Sequence, residues 1–371
     1  MQYPKTELQI TQIERLIANS RSKFSDKKKT EIYNNLLLLF NSIKKSNYRS
    51  FTPQDLFYTK IALDIVFYGI EFLDYKTENE IPKRLIFCLN KVLNDWITNG
   101  TDTYFIVVSY NRTPDNFFIR GYDQGRLLTL KLLFRTLFNI DYSQSLIQIS
   151  KPQFLSNDYL SGVPLYHELG HFIDRNYQII YNFSREPDFI LHGITEVHFS
   201  EFFADLFAAQ YIGSSALAPL DETSTRVTQT HPSIAKRVEV VNTFIQGTGS
   251  LECMTIVNEL KRVTLLRTGK DLKIRYEDFT DTENPFLTLT PRFFTDPQKL
   301  HCLFNAGWQC WLDPNSILRT KHPVHSDCSN VISKLIKGSI KLTMQQSELN
   351  KLKKVGNYIG NIASKYGFID N

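Results

Sequence analysis

The sequence predicts an α+β protein that is mostly helical, with a small mixed sheet between a helical N-terminal region and a helical C-terminal region. Three observations carry this prediction. Apolar residues recur at helical spacing through the first hundred positions. Runs of β-branched and aromatic residues replace that pattern between about 104 and 150, and helical patterning then returns almost to the end. The chain has 371 residues, 42% hydrophobic and 22% charged, which excludes a disordered chain, a collagen-like repeat and a coiled-coil rod.

Each element has its own signal. Ile10, Ile13, Leu16 and Ile17 mark a first helix; Leu36 to Phe40 and Ile43 mark a second, after the basic run Lys27–Lys29. That run reads as a solvated helix start rather than a phosphate site. Thr52 followed by Pro53 starts a third helix, a capping hydroxyl followed by a ring whose missing N–H is harmless in the first turn. Pro82 opens a fourth, ending near Gly100. Tyr104 to Tyr110 (YFIVVSY) reads as a strand, Asn111 to Asp115 as a turn, and Phe117 to Ile119 as a returning strand. Leu127 to Phe138 reads as a helix, with a strand as the alternative, and Ser145 to Ser150 as a further strand broken by Pro152. Residues from there to Gly269 are mainly helical, residues 270–300 irregular, and three helical stretches finish the chain. This divides the sequence into a helical region 1–98, a core 99–270 and a helical region 271–371.

The chemistry concentrates in His167-Glu168-Leu169-Gly170-His171. Histidines four apart stand one above the other on a helix face, so both imidazoles can meet one tetrahedral cation. The glutamate between them projects close by and can take a proton from a metal-bound water. The plainer alternative is a pair of ordinary histidines. It fits poorly with the apolar setting of Val163, Leu165, Tyr166, Leu169, Phe172 and Ile173, where unpartnered polar groups are costly.

A third ligand is expected from a second helix. Thr195 to Ile212 reads as that helix, ended by Gly213, and carries Glu201 and Asp205 one turn apart amid phenylalanines, leucine and alanines. Glu201 completes the set and leaves a fourth place for water. Asp205 is placed to accept the free ring N–H of a ligating histidine. Glu196 and His198 compete for the third position; Glu196 stands about 140° round the helix from Glu201. His231, before Pro232 at a helix start, either donates to an oxyanion or caps the helix. Arg237 either pairs with an acid near the active centre or forms a structural ion pair.

HELGH followed by the E-x-x-A-D pattern EFFAD resembles the gluzincin branch of zinc metallopeptidases. His231-Pro232-Ser233 with Arg237-Val238 narrows the resemblance to the family of the CaaX prenyl endopeptidases and heat-shock membrane peptidases. These motifs span residues 160–245, about a quarter of the chain. The resemblance implies a zincin-like core, Zn²⁺ held by His167, His171 and Glu201, Glu168 as base and Asp205 behind a histidine. It further implies that the strand before the metal helix, Ser145 to Ser150, is a sheet edge to which a peptide adds, with Gln148 and Ser150 in the groove. The expected function is a zinc-dependent endopeptidase acting on protein or peptide substrates. The alternative is a zinc-binding, catalytically silent sensor or scaffold, against which the intact Glu168 speaks.

The familiar members of that family are membrane-embedded, whereas this sequence has no spanning stretch. Its most apolar early segment, Ile61 to Leu73, is interrupted by Asp64 and Glu71. The chain therefore resembles compact, soluble relatives. Five cysteines at irregular spacing and the absence of a signal pattern predict a cytoplasmic home. A net charge of +5, dispersed along the chain, gives no strong nucleic-acid signal. Cys302, Cys310, His322, His325 and Cys328 match no finger spacing and are not expected to form a second metal site. Trp308 and Trp311 read as core packing.

Overall fold

The structure, a computed structural model, describes residues 3–20, 24, 27–74, 83–98, 103–111, 117–142, 145–152, 155, 158–186, 194–218, 231–296 and 298–365. It is mostly helical with one three-stranded mixed sheet. The chain groups into two compact units. The first comprises Met1–Asn157, Pro164–Ala208 and Leu220–Lys273; the second comprises Asp158–Val163, Ala209–Pro219 and Ile274–Asn371. Residues 1–98 thus belong to the same unit as the HELGH helix.

The first unit begins with α1 (Tyr3–Asn19), α2 (Lys27–Lys45), α3 (Pro53–Asp74) and α4 (Lys83–Trp96). The start of α3 is a reciprocal cap. The Asp55 N–H donates to Thr52 Oγ1 at 3.2 Å while the Thr52 N–H donates to Asp55 Oδ2 at 3.2 Å. Pro82 and Gly100, expected to bound α4, lie outside the described residues. The run Lys27–Lys29 is less solvated than expected: Lys29 is buried and the Lys28 ammonium lies 5.9 Å from the Phe105 ring centre. A lysine stem covers apolar surface readily, so charge pattern alone does not report its burial.

The sheet contains β1 (Tyr104–Asn111), β2 (Phe118–Arg120) and β3 (Ser145–Pro152) in the order β1-β3-β2. Strand β1 runs parallel to β3, from Tyr104 opposite Ser145 to Asn111 opposite Pro152. Strand β2 runs antiparallel to β3, with Phe118 opposite Ser150 and Arg120 opposite Gln148. Between β2 and β3 lies α5 (Gln124–Phe138), capped by Asp123 and ended by Asn139 at φ 53°. This helix supplies the crossover that a parallel pair requires.

This topology corrects the expected sheet edge. Ser145 to Ser150 lies in the central strand, paired along its length with β1 on one side and through Gln148 to Ser150 with β2 on the other, so it is not an edge strand. Gln148 and Ser150 are occupied by Arg120 and Phe118 in the ladder. The outer antiparallel position belongs to β2. Residue type and alternation reveal a strand, but not which neighbours close its edges.

The HELGH helix α6 (Pro164–Tyr177), the short α7 (Ile179–Phe183), α8 (Glu196–Ile212), α9 (Ile234–Gln246) and α10 (Leu251–Thr268) follow. Phe199, Phe202, Phe203, Ala204, Leu206 and Phe207 of α8 are all buried, as an apolar surface all round a helix requires. The Phe207 ring packs 5.3 Å from Trp96 and the Phe172 ring of α6 packs 5.1 Å from Tyr104. These contacts fix α6 and α8 against α4 and the sheet.

The second unit contains the irregular segment from Ile274, α11 (Pro285–Thr288), α12 (Lys299–Leu312), α13 (Ile317–Lys321) and α14 (His325–Lys365). Trp308 and Trp311 meet edge-on at 5.4 Å, and Trp308 Nε1–H donates to Leu160 O at 3.1 Å, which is a packing role. All five cysteines are free thiols. Among the described residues no helix is long and apolar enough to cross a membrane.

Candidate metal centre

Pro164 occupies the first position of α6, where its fixed φ suits a helix start, and the preceding turn Leu160–Gly162 leads into it. The HELGH residues then fall in the second and third turns. Leu165, Tyr166, Leu169, Phe172 and Ile173 anchor the helix in the core, while His167, Glu168 and His171 remain only partly covered. Helix α8 is capped by Thr195, whose Oγ1 accepts the His198 N–H at 3.2 Å. That places Glu201 and Asp205 in its second and third turns, facing α6.

Gly170 sets how closely these helices approach. A Cβ at this position would lie 2.9 Å from Ala204 Cα and 3.1 Å from Phe207 Cβ. Only hydrogen fits there. Glycine in a helix costs about 1 kcal/mol relative to alanine, so its presence marks a backbone contact that a side chain would block.

His167, His171 and Glu201 converge, with one ligand atom from each lying within 4.8 Å of the others. The two Nε2 atoms stand 3.0 Å apart, Glu201 Oε2 lies 3.5 Å from His167 Nε2, and Glu201 Oε1 lies 3.3 Å from His171 Nε2. Glu201 Oε2 is buried without a hydrogen-bond partner among the described residues. Two nitrogen lone pairs and a carboxylate oxygen aimed at one point form a donor set that could hold a metal ion, and the orphaned oxygen fits a cation there. Neither His198 nor Glu196 joins the group. Among the described residues it is the only group of three such donors that lie this close together.

Further carboxylates and a cation brace the two histidines. His167 Nδ1–H donates to Asp205 Oδ1 at 2.9 Å, directing Nε2 towards Glu201. Asp205 is held in turn by Arg237, Nε to Oδ2 at 2.7 Å and Nη2 to Oδ1 at 2.6 Å. Arg237 Nη2 also stands 3.7 Å from Glu201 Oε2. Both sequence alternatives for Arg237 therefore meet in one contact: a buried ion pair whose acid orients His167. A second brace escaped the sequence reading. Ser200 Oγ lies 3.4 Å from His171 Nδ1 and donates to Asp174 Oδ2 at 2.8 Å. Asp174 sits on the same stripe of α6 as His167 and His171, three residues on, and that spacing was the available signal.

The electrostatics follow this geometry. Burial alone would lower the His167 pKa, but the Asp205 hydrogen bond, the adjacent Glu201 carboxylate and the Asp205 charge raise it to about 9. Burial works to raise the Glu201 carboxyl, yet the two histidines hold it well below the usual range. Burial likewise opposes Asp205 ionisation, and the Arg237 guanidinium overcomes it. A proton on His167 takes the place that a cation would take in this negatively charged cup.

His231 stands at the rim. Its side chain is 56% exposed and its Nε2 lies 3.8 Å from Glu201 Oε1. Ser233, not His231, caps α9 by accepting the Lys236 N–H, so the capping alternative for His231 is replaced. Residues 219–230, including Thr230, lie outside the described residues.

No protein-family model, curated protein or solved structure matches this chain.

Proposed function

We propose that the chain is a zinc-dependent endopeptidase acting on protein or peptide substrates, with His167, His171 and Glu201 as ligands and Glu168 as general base. The observation that carries this reading is the convergence of those three donors around a buried, orphaned carboxylate oxygen. A further carboxylate, Glu168, lies on the metal helix outside the ligand set. A set of two imidazoles and one carboxylate suits zinc and leaves a fourth position open. Zinc, when bound, would lower the pKa of its water to roughly 7 and polarise the scissile carbonyl.

The chain's own residues supply the remaining steps. Glu168 accepts a proton from the attacking water on its carboxylate and passes it to the leaving amine nitrogen. His231, at the rim, donates its ring N–H to the developing oxyanion. Asp205 and Arg237 keep His167 in one tautomer and orientation, and Ser200 with Asp174 does the same for His171.

The test is turnover of unfolded casein and of a mixed peptide library, with zinc content measured alongside. Glu168→Gln should retain zinc and lose at least a thousandfold in kcat, whereas His231→Gln should lose about tenfold to a hundredfold. Zinc retention in the wild type with no hydrolysis of either substrate would reject the peptidase and favour a silent zinc-binding scaffold.

A further inference from the structure

The second half of α6 borders a cavity of about 930 Å³ that the catalytic residues leave unused. Its size is at the upper end for ligand pockets. Leu130, Leu133, Phe172 and Ile180 give it apolar walls. Ser200 also lines it, and the Ser200 hydroxyl lies 3.4 Å from His171 Nδ1. The cavity therefore begins one side chain away from a metal ligand.

Of its charged residues, Asp123, Arg126 and Asp174 are engaged. Asp123 caps α5 and lies 3.3 Å from Arg126 Nε. Asp174 accepts from the Ile180 N–H at 2.9 Å and from Ser200 at 2.8 Å. Glu196 is exposed in the first turn of α8, where the helix dipole favours its charge. Arg175 remains. It is solvent-accessible and, among the described residues, has no carboxylate within ion-pair distance. It makes one long hydrogen bond, Nη2 to Ile119 O at 3.4 Å. Desolvation by its surroundings disfavours its cationic form, with Arg126 adding to the effect, while Glu168, Asp174 and Asp123 act the other way. Arg175 also lines a second cavity of about 280 Å³ beside β2 and so stands where the two meet.

Its place on the helix connects it to the reaction. Arg175 is one turn beyond His171 and two turns beyond Glu168 on the same side of α6, and helical side chains lean back towards the N-terminus. One helical turn is about 5.4 Å, the span of one to two residues of an extended peptide.

We infer that Arg175 is a specificity-determining residue that receives a substrate carboxylate one or two residues from the scissile bond. The inference rests on the peptidase reading for its meaning, but the binding it describes does not require turnover. The carboxylate is either an aspartate or glutamate side chain or the C-terminus of the peptide, both of which suit a guanidinium fork.

The experiment uses full-length, zinc-loaded Glu168→Gln protein and fluorescein-labelled decapeptides in matched pairs. One pair differs by glutamate against glutamine; the other differs by a free against an amidated C-terminus. Anisotropy titration should show one carboxylate peptide binding at least tenfold more tightly than its neutral twin, and the responsive pair identifies the source. Adding Arg175→Gln should abolish the difference, Arg175→Lys should keep part of it, and Arg175→Glu should reverse it towards lysine-bearing peptides. A thermal melt of each variant verifies its fold. Equal binding of both twins, no binding of any peptide, or a preference unchanged in Arg175→Gln overturns the inference. Wild-type turnover of casein is scored separately. A carboxylate preference without turnover removes the peptidase reading and leaves the Arg175 site standing, whereas turnover without the preference removes the Arg175 assignment alone.

Discussion

Replacing Gly170 with alanine tests whether the spacing of α6 and α8 sets the metal centre. The new methyl carbon would stand 2.9 Å from Ala204 Cα, 3.1 Å from Phe207 Cβ and 3.3 Å from Ala204 O. Carbon atoms prefer separations near 3.5–4.0 Å, so the helices must part by roughly half an ångström or more. The closest atom is backbone, and no rotamer change relieves it. Alanine improves helix propensity by about 1 kcal/mol, while overpacking of this kind costs ~1–3 kcal/mol. The expected net effect is a loss of up to about 2 kcal/mol. Glu201 precedes Ala204 by nearly one turn and moves with it. Metal–ligand distances tolerate only about 0.2 Å, so zinc affinity should fall at least tenfold. Urea unfolding of the metal-free protein measures the first quantity and competition with a chromophoric chelator the second. A variant as stable as wild type with unchanged zinc affinity would refute the reasoning.

Arg237→Met should cost about 3–5 kcal/mol in urea unfolding, because it leaves the Asp205 charge buried with His167 as its remaining partner; a loss under 1 kcal/mol would contradict that account. The metal-free protein should be most stable on the acid side of neutrality. The His167 pKa is raised to about 9, so its contribution is complete below its ordinary value near 6.5 and disappears as pH rises through 9. Glu201 and Asp205 are lowered, so their contributions hold above about pH 4 and are lost as pH falls further. Zinc uptake shows the opposite trend to the histidine. At pH 7.5 it should release about one proton per ion, read by calorimetry in buffers of different ionisation enthalpy, and release of none would show that His167 is not a ligand. Ser200→Ala should weaken zinc binding by about tenfold with little effect on stability, since it frees His171 and leaves Asp174 its backbone partner.

The part of the site legible in the sequence was the part written in helical period. His167, His171, Glu201 and Asp205 lie at spacings of four on two helices whose apolar surroundings announced burial, and the structure brings the first three together. Pairing between distant segments carried no such local sign. Ser145 to Ser150 was recognisable as a strand, yet its central position depends on β1 and β2 arriving on either side. The partner of Arg237 stayed open because its sequence fits an exposed pair as well as a buried one. Ser200 was hidden by having a small, versatile side chain, although Asp174 shared the stripe of the histidines. Arg175 looked like any basic residue near a helix C-terminus; only the cavities on both sides of it mark it out.

Metal analysis of purified wild-type protein beside Glu201→Ala, after dialysis against metal-buffered solution, bears most directly on the proposed centre. One zinc ion per chain in the wild type and less than about a tenth of that in the variant is the predicted outcome. Stoichiometric zinc in Glu201→Ala, or none in the wild type, would contradict it.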